Sequence, residues 1–125
     1  MNLFLTEDGV LKLGYYGLTT QAESYSIRKA HCEGLRSFAP EVFRGEYSLN
    51  SDVWSLGIAL IEMMGITPYA MCENTSLPTI VESVKLPINE EDIESTDLTN
   101  FLKKCFLKKE ERWSVNELMN VSVME

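Results

Sequence analysis

The residues of this chain whose types could do chemistry fall in well-separated stretches. Thr19, Thr20, Ser24, Tyr25 and Ser26 gather in one polar region, with Arg28-Lys29 just beyond. Hydroxyls beside a basic pair are candidate phosphoacceptors, because a phosphate adds charge and acceptor oxygens that Arg and Lys can pair. The plain alternative for each hydroxyl is a solvated polar loop. Tyr15 and Tyr16 precede Gly17. A phenol with a pKa of about 10 is neutral at pH 7 and is a poor ligand for a hard cation. Asn2 stands before the apolar run Leu3-Phe4-Leu5, where an amide more often serves as a turn or strand-end residue. His31 is the only histidine, and no Ser or Cys nucleophile is motif-paired with it, so it reads as an ordinary loop residue. Cys32, Cys72 and Cys105 are odd in number, far apart and without a CxxC pair. That pattern points to reduced, buried or half-buried thiols and away from a disulfide framework or zinc site. Glu41 and Asp52 complete the set. They lie in the stretch Phe38 to Met64, which joins Ala39-Pro40-Glu41 to an almost wholly apolar helix, and are charges that a fold buries for a reason.

The elements that must position these groups follow from turn chemistry and periodicity. Leu3-Phe4-Leu5 and Val10-Leu11-Lys12-Leu13 flank Thr6-Glu7-Asp8-Gly9, and Asp-Gly is a strong turn signal, so residues 2–13 are predicted as a β-hairpin. Residues 14–38 hold Gly14, Gly17 and Gly34 with many hydroxyls and little periodicity. They read as a long loop, and loops of that length are more often functional than accidental. Ser51 is the expected N-cap of a helix from Asp52 to about Met64, with Asp52 favourably placed in its first turn. That helix is apolar on every side, which predicts burial all round. Gly65 and Pro68 would end it.

Further along, residues 76–84 give a short amphipathic helix that tolerates Pro78 in its first turn. Pro87 and Glu90-Glu91-Asp92 read as an exposed connector. Leu98, Phe101, Leu102, Cys105 and Phe106 recur at i, i+3, i+4, i+7 and i+8, an amphipathic helix. Lys103, Lys104, Lys108 and Lys109 complement the dipole at its C-terminal end. Ser114-Val115-Asn116-Glu117 is a capping-box pattern opening a last helix through Leu118 and Met119.

Composition bounds the rest. A 125-residue chain with 45% hydrophobic residues fits one ordered domain. Its net charge of −8 argues against nucleic acid or an anionic membrane as partner. The start, MNLFLTED, has neither the basic flank nor the apolar length of a signal peptide. The longest apolar region, Val53 to Ile66, includes Ser55 and Glu62 and is shorter than the roughly 20 residues needed to span a bilayer. The expectation is a cytoplasmic protein.

Ala39-Pro40-Glu41, joined to Ser51-Asp52-Val53-Trp54-Ser55-Leu56-Gly57 and then to Arg112 before a last helix, resembles the C-terminal lobe of a protein kinase domain. Ser51 to Gly57 is most similar to STE-group serine/threonine kinases. The ordered motifs cover the chain from Asn2 to about Met119. The resemblance implies a mainly α fold over residues 1–125: a partial kinase-like C-lobe with a hairpin (1–13), an activation segment (14–41) and about four helices in a subdomain (51–120). Asn2 would occupy the place of the catalytic-loop Asn that helps hold magnesium. Tyr15-Tyr16-Gly17 would stand where the family has Asp-Phe-Gly, so Tyr15 replaces the metal-binding Asp while Tyr16 and Gly17 keep the packing and backbone roles. Ser24, Tyr25 and Ser26 would be activation-segment phosphosites. Gly34-Leu35-Arg36-Ser37-Phe38 departs from the family, which usually places a Thr after the Gly, so the usual substrate pocket does not carry over. Glu41 and Arg112 would form a buried ion pair, and Asp52 would accept backbone N–H bonds from the catalytic loop.

The same resemblance exposes what these residues do not contain. No Gly-rich loop, strand Lys with its paired Glu, or catalytic Asp base is present, because in family order all lie before Asn2. Phosphoryl transfer depends on positioning and charge stabilisation, so the chain by itself is expected to be inactive, a fragment or shortened product with no cofactor of its own. ATP and Mg would belong to a full-length form, and a protein substrate or protein partner is implied. Two other readings stand beside this one. One is half of an active ATP-dependent serine/threonine kinase; the other is a pseudokinase-type interaction module using residues 70–94. Trp54, Ile58 and Ile61 are expected to expose a patch that favours self-association.

Overall fold

In the computed structural model, residues 3–14, 36–46, 48–70, 76–83 and 86–120 are described. Asp8-Gly9 closes the first two apolar runs. Gly9 takes φ +78, a left-handed conformation open to glycine at no steric cost. Its N–H donates to the Thr6 carbonyl at 2.9 Å. β1 (Leu3–Leu5) pairs antiparallel with β2 (Leu11–Leu13) in the register Leu3↔Leu13, Phe4↔Lys12, Leu5↔Leu11. Val10, expected as a strand residue, instead completes the turn by accepting the Thr6 N–H. Strand alternation gathers Leu3, Leu5, Leu11 and Leu13 on one face. Leu5, Leu11 and Leu13 are exposed, and no hairpin residue joins the main core.

The helices are α1 (Pro40–Phe43), α2 (Ser51–Met63), α3 (Leu77–Ser83), α4 (Thr96–Cys105) and α5 (Val115–Leu118), with a 3-10 turn at Glu90–Asp92. Among the described residues there are five helices, in keeping with the expectation of about four, and the first of them is the single turn α1 after Ala39. Pro40 sits at the start of that turn, where its missing N–H costs nothing.

α2 runs for 13 residues and stops where Gly65 adopts φ +78. Ser51 is its first residue and not its cap; the cap position belongs to Asn50. The expectation of burial all round is corrected as well. Asp52, Leu56, Glu62 and Met63 are exposed, while Val53, Trp54, Gly57, Ile58, Ala59 and Ile61 are buried. Trp54, Ile58 and Ile61, expected to form an exposed patch, are 2%, 1% and 0% exposed. α4 supplies the cover: α2 packs on it, and the Trp54 and Phe106 rings meet edge to face at 4.9 Å. A self-association surface on those three residues is therefore absent.

α4 begins where Ser95 accepts the Leu98 N–H at 3.2 Å. Its periodic residues face inward as the spacing predicts, with Leu102, Cys105 and Phe106 buried against α2. Lys103 reaches back to Glu90 at 2.7 Å, and Lys104 lies 4.8 Å over the Trp113 ring. α1 packs on α3, and α3 contributes Ile80 and Val81 to the core. The capping box of α5 is complete. The Ser114 hydroxyl accepts the Glu117 N–H at 3.3 Å, and the Glu117 carboxylate accepts the Ser114 N–H at 2.7 Å. Those bonds hold the Glu117 carboxyl below its ordinary value.

The α2–α4 contact is close because residue 57 lacks a side chain. A Cβ there would lie 2.6 Å from Phe106 Cζ and 2.9 Å from Cys105 Cβ. Gly57→Ala is therefore expected to destabilise the protein by roughly 1–3 kcal/mol through overpacking, against less than about 1 kcal/mol gained in helix propensity. Urea unfolding measures this, and a midpoint at or above wild type would show that the helices are not so closely apposed.

Candidate functional site

The charges that the structure concentrates are those of Glu41 and Arg112. Ala39 is extended, as a residue before proline must be, and Pro40 then turns the chain so that Glu41 enters the interior in the first turn of α1. Glu41 is 0% exposed and Arg112 3%. The guanidinium grips the carboxylate at both oxygens: Nη1 donates to Oε1 at 2.5 Å and Nη2 to Oε2 at 3.0 Å. Ser51 donates its hydroxyl to the same Oε1 at 2.9 Å. Arg112 also gives Nε–H to the Leu107 carbonyl and a second Nη1 bond to the Asn50 carbonyl, each at 3.1 Å. Its carbon centre lies 5.0 Å from the Trp54 ring centroid. A fork-to-fork pair this well satisfied is the kind of buried ion pair whose Coulombic gain can meet its desolvation cost.

Burial by itself would push the Glu41 carboxyl up. The Arg112 bonds, a backbone N–H, the Ser51 hydroxyl and the Arg112 charge outweigh it, and the group sits below its ordinary value of 4.5. The neighbouring Cys105 thiol goes the other way. Burial raises it to about 12 despite the opposing pull of Arg112, so it stays a neutral packing residue with no nucleophilic character.

Around the pair, the end of the loop is fastened to several elements. Ser55 donates to the Ser37 carbonyl at 2.8 Å, tying α2 to the residues before α1. Arg44 meets Glu82 of α3 at 2.8 Å, and Lys109 meets Glu46 at 3.2 Å. These are exposed pairs worth well under about 1 kcal/mol each. They rim an open cleft of about 350 Å³ beside the ion pair, which Lys108 and Glu110 also line. With Glu41 and Arg112 engaged by one another, the joint fixes position.

Glu41 and Arg112 are thus brought together as the sequence resemblance implied. Asp52 is not part of the joint; it is exposed in the first turn of α2, the place where a carboxylate complements the helix dipole. Asn2, Tyr15, Gly17, Ser24, Tyr25 and Ser26 lie outside the described residues. Sequence reasoning missed Ser51 as a ligand of Glu41, Asn50 as a ligand of Arg112, and Trp54 as the guanidinium's platform. Asn50-Ser51 carried a signal, but it is the same one that marks a helix cap.

The family model of the protein kinase domain matches residues 1–124. The chain belongs to the protein kinase family. Its kinase relatives include a probable serine/threonine-protein kinase WNK9 from Oryza sativa subsp. japonica, 28% identical over 99% of this chain and 30% of that protein. A mitogen-activated protein kinase kinase kinase 20 from Arabidopsis thaliana is 30% identical over 97% of this chain and 38% of its own length. A serine/threonine-protein kinase Nek9 from Xenopus laevis is 39% identical over 54% of this chain and 7% of its own length. The kinase chain thus spans well under half the length of each of these relatives. The mainly helical architecture with one hairpin is that of a partial kinase domain, as the ordered motifs implied.

The pair predicts how this kinase chain responds to mutation and acid. Glu41→Gln leaves Arg112 buried without its counter-charge and is expected to cost on the order of 3–5 kcal/mol in urea unfolding. Because the folded-state value of Glu41 is depressed, its stabilisation is complete above about pH 4.5 and is lost as pH falls through the lowered value. The wild-type chain should lose stability across that acid window, and a folded Glu41→Gln variant should show a shallower loss there. Parallel pH profiles for the two would mean the carboxylate is not the group that senses acid.

Proposed function

We propose that these residues are the scaffold of a serine/threonine-type protein kinase C-lobe that carries no phosphotransferase activity by itself. The observation that supports this most directly is the Glu41–Arg112 joint. It seats the residues ending at Glu41 on the helical core, the use a kinase has for the close of its activation segment. Transfer of a phosphoryl group needs a phosphate-covering loop, a phosphate-binding Lys and a catalytic Asp, and none of the 125 residues forms those motifs. On this reading Ser24, Tyr25 and Ser26 are sites where modification of the activation segment would act, and the partner is a protein. The setting is cytoplasmic; no described helix is long and apolar enough to cross a membrane.

The family's magnesium fits this donor set poorly. Tyr15 offers a neutral phenol where the family has a carboxylate that would hold the metal, and the amide of Asn2 is a weak ligand without it. Among the described residues no cluster of three or more His, Cys, Asp or Glu side chains could hold a metal ion. ATP and Mg accordingly belong to the reading only for a longer form that supplies the remaining groups. Tyr15 also favours a second reading, a pseudokinase-type module that binds a protein partner independently of nucleotide.

The two readings separate by measurement. The 125-residue chain, given magnesium-ATP and a generic protein substrate, is expected to incorporate no phosphate above buffer; turnover would overturn the scaffold reading. In a form extended by a Gly-rich lobe and a His-Arg-Asp loop, Tyr15→Asp is expected to restore magnesium-dependent nucleotide binding if only the metal ligand was lost. Absence of nucleotide binding in both versions, with a partner retained, would favour the interaction module.

A further inference from the structure

Asn50 stands at the N-cap of α2, the position where an Asn side chain ordinarily accepts a backbone N–H from its own helix. It makes no such bond. Its side-chain amide instead crosses to the Arg112 carbonyl, donating at 3.2 Å, while its own carbonyl accepts Arg112 Nη1 at 3.1 Å. The two residues are therefore held at both ends. One bond fixes the Arg112 backbone and the other fixes the guanidinium, across 62 positions of sequence. The next residue, Ser51, bonds the carboxylate that the guanidinium grips. Consecutive residues at the start of α2 thus hold the two halves of the ion pair separately.

We infer that Asn50 is a positioning residue that sets the bidentate orientation of Arg112 on Glu41, its amide being diverted from helix capping to that task. The geometry distinguishes this from a generic polar contact. A two-pronged fork must be aligned to reach both carboxylate oxygens, and a planar guanidinium anchored only through Nε to Leu107 could still pivot as a rigid plate about that bond. Asn50 limits that pivot through two groups: its backbone carbonyl, which the substitutions below retain, accepts Nη1, and its side-chain amide pins the Arg112 backbone that carries the guanidinium. The inference concerns this joint alone and stands whichever functional reading holds.

The test uses the 125-residue chain with Asn50→Leu, which keeps the branched heavy-atom outline and removes the donor, and Asn50→Gln, which keeps an amide. Two readouts report orientation: the carboxyl titration midpoint of Glu41 by carbon NMR, and hydrogen exchange at the Arg112 guanidinium. The charged groups that share the cleft with Glu41 are Arg112, Arg44, Lys108 and Lys109, with Glu82 and Glu110 opposing them, and none is altered by either substitution. By loosening the Arg112 backbone, Asn50→Leu is expected to raise the Glu41 midpoint toward its ordinary value and to speed guanidinium exchange by up to roughly tenfold, the scale of one net hydrogen bond. Asn50→Gln should recover part of both. Because Asn50 does not cap α2, helix content should be unchanged. An unchanged midpoint and exchange rate in Asn50→Leu would overturn the inference. So would Asn50→Gln behaving like Asn50→Leu, which would mean side-chain shape and not the amide matters. If Asn50→Leu fails to fold, Asn50→Ala replaces it with the same two outcomes.

Discussion

A carboxylate taken fully out of water is tolerated only if its charge is met, and the meeting of Glu41 with Arg112 is the constraint on which the rest of the structure depends. Because the two residues lie 71 positions apart, satisfying that one charge requires α1, the start of α2 and the turn after α4 to converge. The hydrophobic core does not by itself specify this convergence. Apolar contacts among Trp54, Ile58, Leu102 and Phe106 are non-directional and tolerate sliding, whereas a forked guanidinium on a fixed carboxylate does not. The core supplies cohesion and the pair supplies register.

The same economy explains the chemistry of neighbouring groups. Trp54 serves the core with one edge against Phe106 and the joint with its face toward Arg112. Ser51 and Asn50, both residues that helices favour at their caps, are turned to the pair instead, so α2 starts without side-chain capping and draws its stability from packing. Cys105, close enough to Arg112 to feel its charge, is still governed by burial and stays protonated. Glu41 is held toward its charged form and Cys105 toward its neutral one, which suits a mechanical role.

Much of this was legible in the sequence, for reasons that differ from element to element. The hairpin was announced by Asp8-Gly9, α4 by its apolar period and α5 by its capping box, because each signal is local and no tertiary contact competes with it. The boundaries and exposure of α2 were less legible. Ser51 looks like a cap whenever its only visible partners are its own helix's N–H groups, and Glu41 becomes a competitor only after folding. An apolar helix also cannot reveal from sequence how much of its surface its own chain will cover. α4 covers Trp54, Ile58 and Ile61, and leaves Leu56 and Met63 in solvent. The pair itself was legible only through resemblance, since nothing in spacing joins residue 41 to residue 112.

The arrangement also bears on why a fold signature and an activity can part company. Residues that define a fold by burying charge must be met by partners, and that removes them from reaction chemistry: a fully buried carboxylate whose two oxygens are held by a guanidinium and a hydroxyl is out of reach of a substrate. Reactive groups need the opposite condition, a donor or acceptor left open toward a cleft. Selection on the joint and selection on chemistry therefore act on different side chains. The motif from Ala39 to Gly57 is accordingly a statement about how the end of one segment is held to a helical core, and the side chains that make this joint are engaged in holding it.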